Sequence, residues 1–369
     1  MRIAQVAPLA ESVPPKLYGG TERVISWLTE ELVRLGHEVT LFASGDSQTT
    51  AKLVPVWPRG LRLGRPKTDP AIPQAALFEA IADRASDFDV IHCHLDWLHL
   101  PLLTRLKVPF VTTTHNRLDL PGLSSLVGQF PDAPFISISD NQRAPLPEAQ
   151  WKGTVYHGLP LGSFRPSYVR GRYLAFLGRI TAEKGPETAI RIAQAAGMPL
   201  RIAAKIPRAE HGYFTERIKP MIDGDGVELV GEVNEQRKQD FLSGAAALLF
   251  PIEWPEPFGL VMIEAMACGT PVIAFASGSV PEVVENGVTG FIVEDEAQAV
   301  EAVTKIQELD RHGVRARFEQ RFTAKRMAED YTRHYASLST LPRPRLNMAG
   351  QPIPMPRRAR KRVSAPAPR

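Results

Sequence analysis

Glu256 and Glu264, with seven residues between them, lie in the segment WPEPFGLVMIEAMACGTPVIA, Trp254 to Ala274. The residues after Pro257 have the pattern of a helix over 258–267, followed by Gly269 and a strand. Within that helix every side chain except Glu264 is apolar or absent. A helix that is apolar all round is normally buried, and a buried carboxylate is costly unless something pairs with it. Two kinds of partner would serve: a ligand rich in hydroxyls, or an arginine or lysine from elsewhere in the fold. Phe258, Gly259 and Leu260 stand where a helix leaves its first amide N–H groups unpaired, an arrangement that attracts phosphate. Glu264 follows Gly259 by five residues, roughly 7.5 Å along a helix rising ~1.5 Å per residue. Phosphate at the helix start and a vicinal diol one to two turns along describe a nucleotide whose ribose donates to Glu264. Glu256 precedes the helix and faces the other side of the phosphate, where a transferred group would be.

Other stretches offer chemistry of their own. FLGRITAEKGPE ends a strand with Arg179 and places Lys184 before a helix with Pro186 in its first turn. Two cations at one strand end suit a diphosphate and would stabilise a leaving anion without a metal; solvated loop charges are the plain alternative. YGGTER sets Gly19 and Gly20 at a helix opening after a first strand and loop, which permits close backbone approach. VIHCHLDW puts His92 and His94 on one face of a strand, with Asp96 and His99 nearby, but the spacing matches no standard zinc pattern. VTTTHN leaves His115 at a strand's carboxyl end, able to meet substrate or to serve structure. DGDG, Asp223 to Gly226, reads as a surface turn rather than a metal loop.

These residues need elements to hold them. RIAQVAP, a glycine-ending loop, TERVISWLTEELVRLG and HEVTLFA form strand, loop, helix and strand. Residues 51–75 contain five prolines and read as irregular. FDVIHCH, PFVTTTH and FISIS follow as short β-rich runs. From about Tyr173 the pattern restarts with RYLAFLG, TAIRIAQAAG, LRIAAK, VELVGEV and AALLFPI. Two blocks of alternating strands and helices predict two doubly wound α/β halves, whose ligand lies in the cleft beyond the strands' carboxyl ends. A length of 369 residues also favours two domains.

Composition narrows the function classes. The formal net charge of +4 is placed unevenly: residues 341–369 hold eight basic residues, seven prolines and no acid. Without them 36 basic residues face 40 acidic, so nucleic acid is not the expected partner. The tail reads as disordered, and RRARKR at 357–362 is a candidate contact with anionic lipid. Cys93 and Cys268 sit in apolar contexts and make no disulfide framework, which fits a cytoplasmic protein. No apolar run approaches the ~20 residues that cross a bilayer. The N-terminal stretch, weakly like a signal peptide, reads better as a first strand.

The run EPFGLVMIEAMACGTPVIA, with YGGTERV, GRITAEKG and GSVPEVVENGVTGFIV in matching order, resembles the retaining nucleotide-sugar glycosyltransferases of family 4. The resemblance extends from Met1 to about Leu338. It implies the GT-B architecture, two Rossmann-like domains facing across a cleft: 1–162, completed by a returning helix at 321–338, and a nucleotide-sugar domain at 163–320. It implies that Glu264 binds the ribose, Glu256 the transferred sugar, and Arg179 and Lys184 the diphosphate. Backbone at Phe258, Gly259 and Leu260, and the Gly19–Gly20 loop, would line the phosphate side, with Val233 near the base. His115 would approach the donor sugar, and His94 and Asp96 would lie toward the acceptor. His157, before Gly158, departs from the Asn-Gly common in the family. The implied reaction is metal-independent hexose transfer, with no cofactor, from a nucleoside diphosphate sugar, UDP-glucose favoured, to a hydroxyl of a glycan, lipid or small molecule. An epimerase or phosphorylase of the same architecture, or a non-catalytic sugar-nucleotide binder, are the alternatives. A nicotinamide enzyme is disfavoured by the missing GxGxxG.

Overall fold

The protein's structure, a computed structural model, describes residues 1–339 apart from 18 and 107. The basic tail considered above lies outside the described residues. Seven parallel strands form the first sheet: β1 (Arg2–Val6), β2 (Glu38–Ser44), β3 (Lys52–Trp57), β4 (Val90–Cys93), β5 (Phe110–Thr113), β6 (Pro134–Ser137) and β7 (Gln150–Thr154), ordered β3-β2-β1-β4-β5-β6-β7. Six parallel strands form the second: β8 (Leu174–Arg179), β9 (Leu200–Lys205), β10 (Val227–Gly231), β11 (Ala247–Phe250), β12 (Val272–Phe275) and β13 (Gly290–Val293), ordered β10-β9-β8-β11-β12-β13. Their central strands are buried on both faces, as parallel strands covered by helices must be. In each sheet the order reverses once, between β1 and β4 and between β8 and β11. Ligands of doubly wound sheets bind beyond the strand ends at such a reversal.

Two expectations need correction. Residues 51–75 are not irregular throughout: β3 and the start of the helix Ala71–Ala82 fall within them. Pro55 lies in β3, and an edge strand tolerates the missing N–H. The buried helix spans Leu260–Ala267 rather than 258–267. Gly259 has φ +75°, outside the right-handed helical region, so Phe258 and Gly259 form the turn into the helix.

The chain passes between the domains twice. Leu159 donates to the Phe322 carbonyl and accepts from Ala324 N–H, joining the two crossing segments. The helix Ala324–Ser339 then returns to the first sheet and buries Met327, Ala328, Tyr331 and Tyr335 against Ile3, Leu28, Val111 and Ile136. Among the described residues no helix is long and apolar enough to cross a membrane.

Candidate active site

Arg179 closes β8, and the loop beyond β11 carries Trp254 and Glu256, so the second sheet's reversal point gathers the charged residues singled out above. Lys184 and Glu256 form a direct ion pair, each side chain 15% exposed. Lys184 also lies 5.2 Å from the centre of the Trp254 ring, and Arg117 of the first domain lies 5.8 Å from it. The loop after β12 braces this arrangement. Ser277 Oγ donates to the Trp254 carbonyl at 2.9 Å and Ser279 Oγ to that of Phe258 at 2.8 Å. Gly278 makes room: with φ +57°, a Cβ there would stand 2.3 Å from Glu256 N.

Arg179 is held less firmly, with Glu183 at 3.8 Å. Its Nε is buried without a hydrogen-bond partner, and so are Thr181 Oγ1 and Trp254 Nε1. Buried polar groups are normally paired, so three unmatched donors beside one sheet's reversal point are a feature requiring explanation.

Glu264 already has a partner within the protein. Lys238, from the helix Glu235–Ser243, donates to its Oε1 at 2.6 Å with both side chains buried. Burial pulls the Lys238 ammonium down, but Glu264 and Glu235 outweigh it and the net shift is upward. The internal cation considered as the alternative is therefore present, and burial of Glu264 alone carries no argument for a ligand. Lys238 further pairs with Glu235 at 3.0 Å, and Glu235 with Arg23 of the first domain at 2.5 Å. This chain runs from the helix that follows the glycine loop to Glu264. Gly20 itself opens that helix, and a Cβ on it would stand 3.6 Å from Leu260. Val233 packs against the cluster that contains Phe258, Met262 and Ile263.

Histidines form the first domain's wall. His92 and His94 lie with ring centres 4.0 Å apart. His92 meets Tyr335 Oη and Thr113 Oγ1, both at 2.7 Å, and is committed to the core rather than to a metal. Among the described residues no three His, Cys, Asp or Glu side chains are grouped to hold a metal ion. His94 Nδ1 meets His115 Nε2 at 2.8 Å, and His115 stacks on His157 at 5.3 Å. His157 meets the edge of Phe258 at 4.8 Å, directly beside the second domain's helix. Burial lowers His92, His94 and His157 well below the usual imidazole range, and His115 to about 3, so all four are neutral near pH 7. Asp96 holds φ 54°, an uncommon conformation for a non-glycine residue, and accepts from Asn116 Nδ2 at 3.0 Å. Burial pushes its carboxyl upward. Asp223, by contrast, accepts three backbone N–H groups in a surface turn.

The structure thus gathers Arg179, Lys184, Glu256, Phe258, Gly259 and Leu260 on one wall and His94, Asp96 and His115 on the other. Sequence reasoning missed Lys238, Trp254, Arg117, Arg23 and Gln5. Gln5 alone gave a signal, as a polar residue in an otherwise apolar stretch of strand.

Two family models match consecutive parts of the chain. Glycosyltransferase Family 4 matches residues 18–179, and Glycosyl transferases group 1 matches residues 165–323. A D-inositol 3-phosphate glycosyltransferase of Mycolicibacterium smegmatis is 27% identical over 332 residues, covering 75% of each chain. The solved structure of AviGT4, a glycosyltransferase involved in avilamycin A biosynthesis, superimposes with a TM-score of 0.71 at 25% identity, covering 92% of this chain and 98% of that one. Anabaena HepE, solved in complex with UDP and glucose, shares the fold at a TM-score of 0.71 and 18% identity, covering 91% of this chain and 100% of that one. The chain belongs to the family 4 glycosyltransferases of GT-B architecture, and it is a glycosyltransferase.

Proposed function

We propose that the protein moves a hexose from a nucleoside diphosphate sugar, UDP-glucose foremost, to a hydroxyl acceptor with retention of configuration and without a metal. The observation that carries this reading is the set of unmatched donors, Arg179 Nε, Thr181 Oγ1 and Trp254 Nε1, beside the Lys184–Glu256 pair. A diphosphate accepts from several such donors at once and draws on Lys184 for charge. The donor unit is 163–320, and the acceptor unit is 1–162 with the returning helix.

In this reading Arg179, Lys184 and the backbone at Phe258–Leu260 stabilise the departing diphosphate, with Gly19 and Gly20 covering its far side. Glu256, fixed by the loop after β12, accepts from hydroxyls of the transferred sugar. Glu264 keeps Lys238 on Oε1; a carboxylate offers about four acceptor positions, enough for a ribose diol as well. Val233 adjoins the base. His115 meets the donor sugar and Asp96 faces the acceptor; His94, expected beside the acceptor, is buried with both ring nitrogens engaged by Gln5 and His115 and stands behind that face. The bond from the anomeric carbon to the diphosphate oxygen breaks as the acceptor oxygen bonds to that carbon on the same face. The acceptor's proton passes to the leaving phosphate. Domain closure excludes water and limits hydrolysis. The HepE complex supports UDP-glucose as the first donor to test, and the mycobacterial relative supports a polyol phosphate among the acceptors.

The test is incubation with UDP-, GDP-, ADP- and dTDP-glucose, with and without an acceptor panel including D-inositol 3-phosphate, followed by NMR. Transfer that needs an acceptor and keeps the anomeric configuration supports the reading. A changed sugar nucleotide with no acceptor present would reveal an epimerase instead.

A further inference from the structure

We propose that Gln5 and His94 are positioning residues that fix the tautomer of His115, so that its imidazole offers a lone pair, and not a proton, to a hydroxyl of the donor sugar. The sugar half of this statement rests on the donor-site reading above. The tautomer half rests on the hydrogen-bond network alone.

Gln5 in β1 is buried, and its Nε2 donates to Tyr335 Oη at 3.1 Å. Its Oε1 stands 2.9 Å from His94 Nε2. An amide oxygen can only accept, so His94 Nε2 carries the proton. A neutral imidazole has a single N–H, which leaves His94 Nδ1 as an acceptor. The group facing it at 2.8 Å is His115 Nε2, which must then donate. His115 is also neutral, so its Nδ1 carries a lone pair. That nitrogen is buried and has no partner.

The rest of the network accommodates the same polarity. Tyr335 accepts from Gln5 and has its own proton to give to His92 Nδ1 at 2.7 Å. His92 then donates through Nε2 to Thr113 Oγ1 at 2.7 Å, and Thr113 to Tyr331 Oη at 2.9 Å. Both tyrosines belong to the helix that returns from the second domain, so that helix supplies two links of the chain whose direction the Gln5 amide sets. The free lone pair lies at the domain junction, on the ring that stacks against His157 beside Phe258. It pairs with a hydroxyl and repels a carboxylate. The matching donor is a neutral hexose with that hydroxyl intact, rather than a uronate or a sugar deoxygenated there.

The direct test is the 15N spectrum of histidine-labelled wild-type protein near pH 7, with His115 assigned by loss of its signals in H115N. The expected result is a pyridine-type Nδ1 and a pyrrole-type Nε2 on His115; a protonated Nδ1 overturns the proposal. Gln5→Met, which removes the amide, should broaden His115 into a tautomer mixture and lower kcat/KM for the donor about tenfold. A folded Q5M with an unchanged His115 spectrum also overturns it, and if Q5M fails to fold the wild-type spectrum decides. Deoxy and deoxyfluoro donors test the sugar half. At the hydroxyl whose removal affects wild type but not H115A, fluorine, which cannot donate, should fail to restore turnover. Restoration by fluorine, or the lack of any such hydroxyl, overturns the sugar half. If wild type transfers no sugar at all, the glycosyl-transfer reading fails while the spectrum still settles the tautomer.

Discussion

The buried histidines make the first domain sensitive to acid, by an amount that follows from their number. His92, His94, His99, His115 and His157 are all held neutral by burial, with His99 and His115 lowered to about 3. In the unfolded chain each returns to the ordinary value near 6.5 and takes up a proton below it. The native state then binds fewer protons than the unfolded state, so stability falls as pH falls through 6.5 and keeps falling until the folded values are reached. Between pH 6.5 and 5.5 each such group costs about 1 kcal/mol, and five together cost about 5 kcal/mol. Burial pushes the carboxyls of Glu11, Glu22 and Asp96 upward; these act with the opposite sign and restore some stability as pH falls. A loss of this size is comparable with the total stability of many domains, about 5–15 kcal/mol. Urea unfolding followed by tryptophan fluorescence suits the test, since Trp27, Trp57, Trp97 and Trp151 belong to the first domain and only Trp254 to the second. The urea midpoint should drop steeply between pH 6.5 and 5.5, with a slope at pH 5.5 equivalent to about four protons taken up on unfolding. His99→Gln should remove about one of them. A change below about 1 kcal/mol over that pH unit would refute the reasoning.

Three further outcomes follow from the site. Lys184→Ala should lower turnover at least a hundredfold while the melting temperature moves little, as measured by nucleotide release and calorimetry; unchanged turnover would remove the leaving-group role. Lys238→Met should cost about 3–5 kcal/mol near pH 7, because it leaves Glu264 buried without a cation. The raised Lys238 pKa means that the wild-type advantage is full below the ordinary 10.5 and is lost as pH rises past the folded value, which stability curves of both proteins should show. Glu282 of the second domain accepts the N–H groups of Asp140 and Asn141 at 2.7 and 2.8 Å, and Tyr156 Oη at 3.1 Å. Glu282→Ala should therefore loosen the two domains, raising the radius of gyration in small-angle scattering and the donor KM severalfold.

The two doubly wound sheets could be read from the alternation of strand and helix patterns, because buried parallel strands and amphipathic helices impose different periods. Chemistry that spans the chain could not. Lys184 and Glu256 were each visible as charges at strand or helix ends, but nothing in their own surroundings shows that they meet. Lys238 lies in EQRKQD, which reads as a solvated helix face; its burial follows from Phe241 and Leu242 turning that helix onto the core. Glu264 illustrates the limit from the other side. An isolated carboxylate in an apolar helix signals a partner, yet it does not say whether the partner is ligand or protein. The histidines of VIHCH showed a common face, while their role depended on Gln5 from β1 and on two tyrosines more than 200 residues away, in the returning helix. Pro55 disguised β3, because the argument against proline in a strand applies to central strands and β3 lies at an edge.

The proposed donor site places a nucleotide's ribose at Glu264 although Lys238 is already there. Calorimetric titration of UDP and of 2′,3′-dideoxy-UDP into wild type and into Glu264→Gln, which preserves shape, tests this most directly. Wild type should favour UDP by roughly 10- to 150-fold, the worth of one hydrogen bond to a charged group at about 1.5–3 kcal/mol, and Glu264→Gln should lose most of that preference. Equal discrimination by both proteins, or none by wild type, would contradict the account.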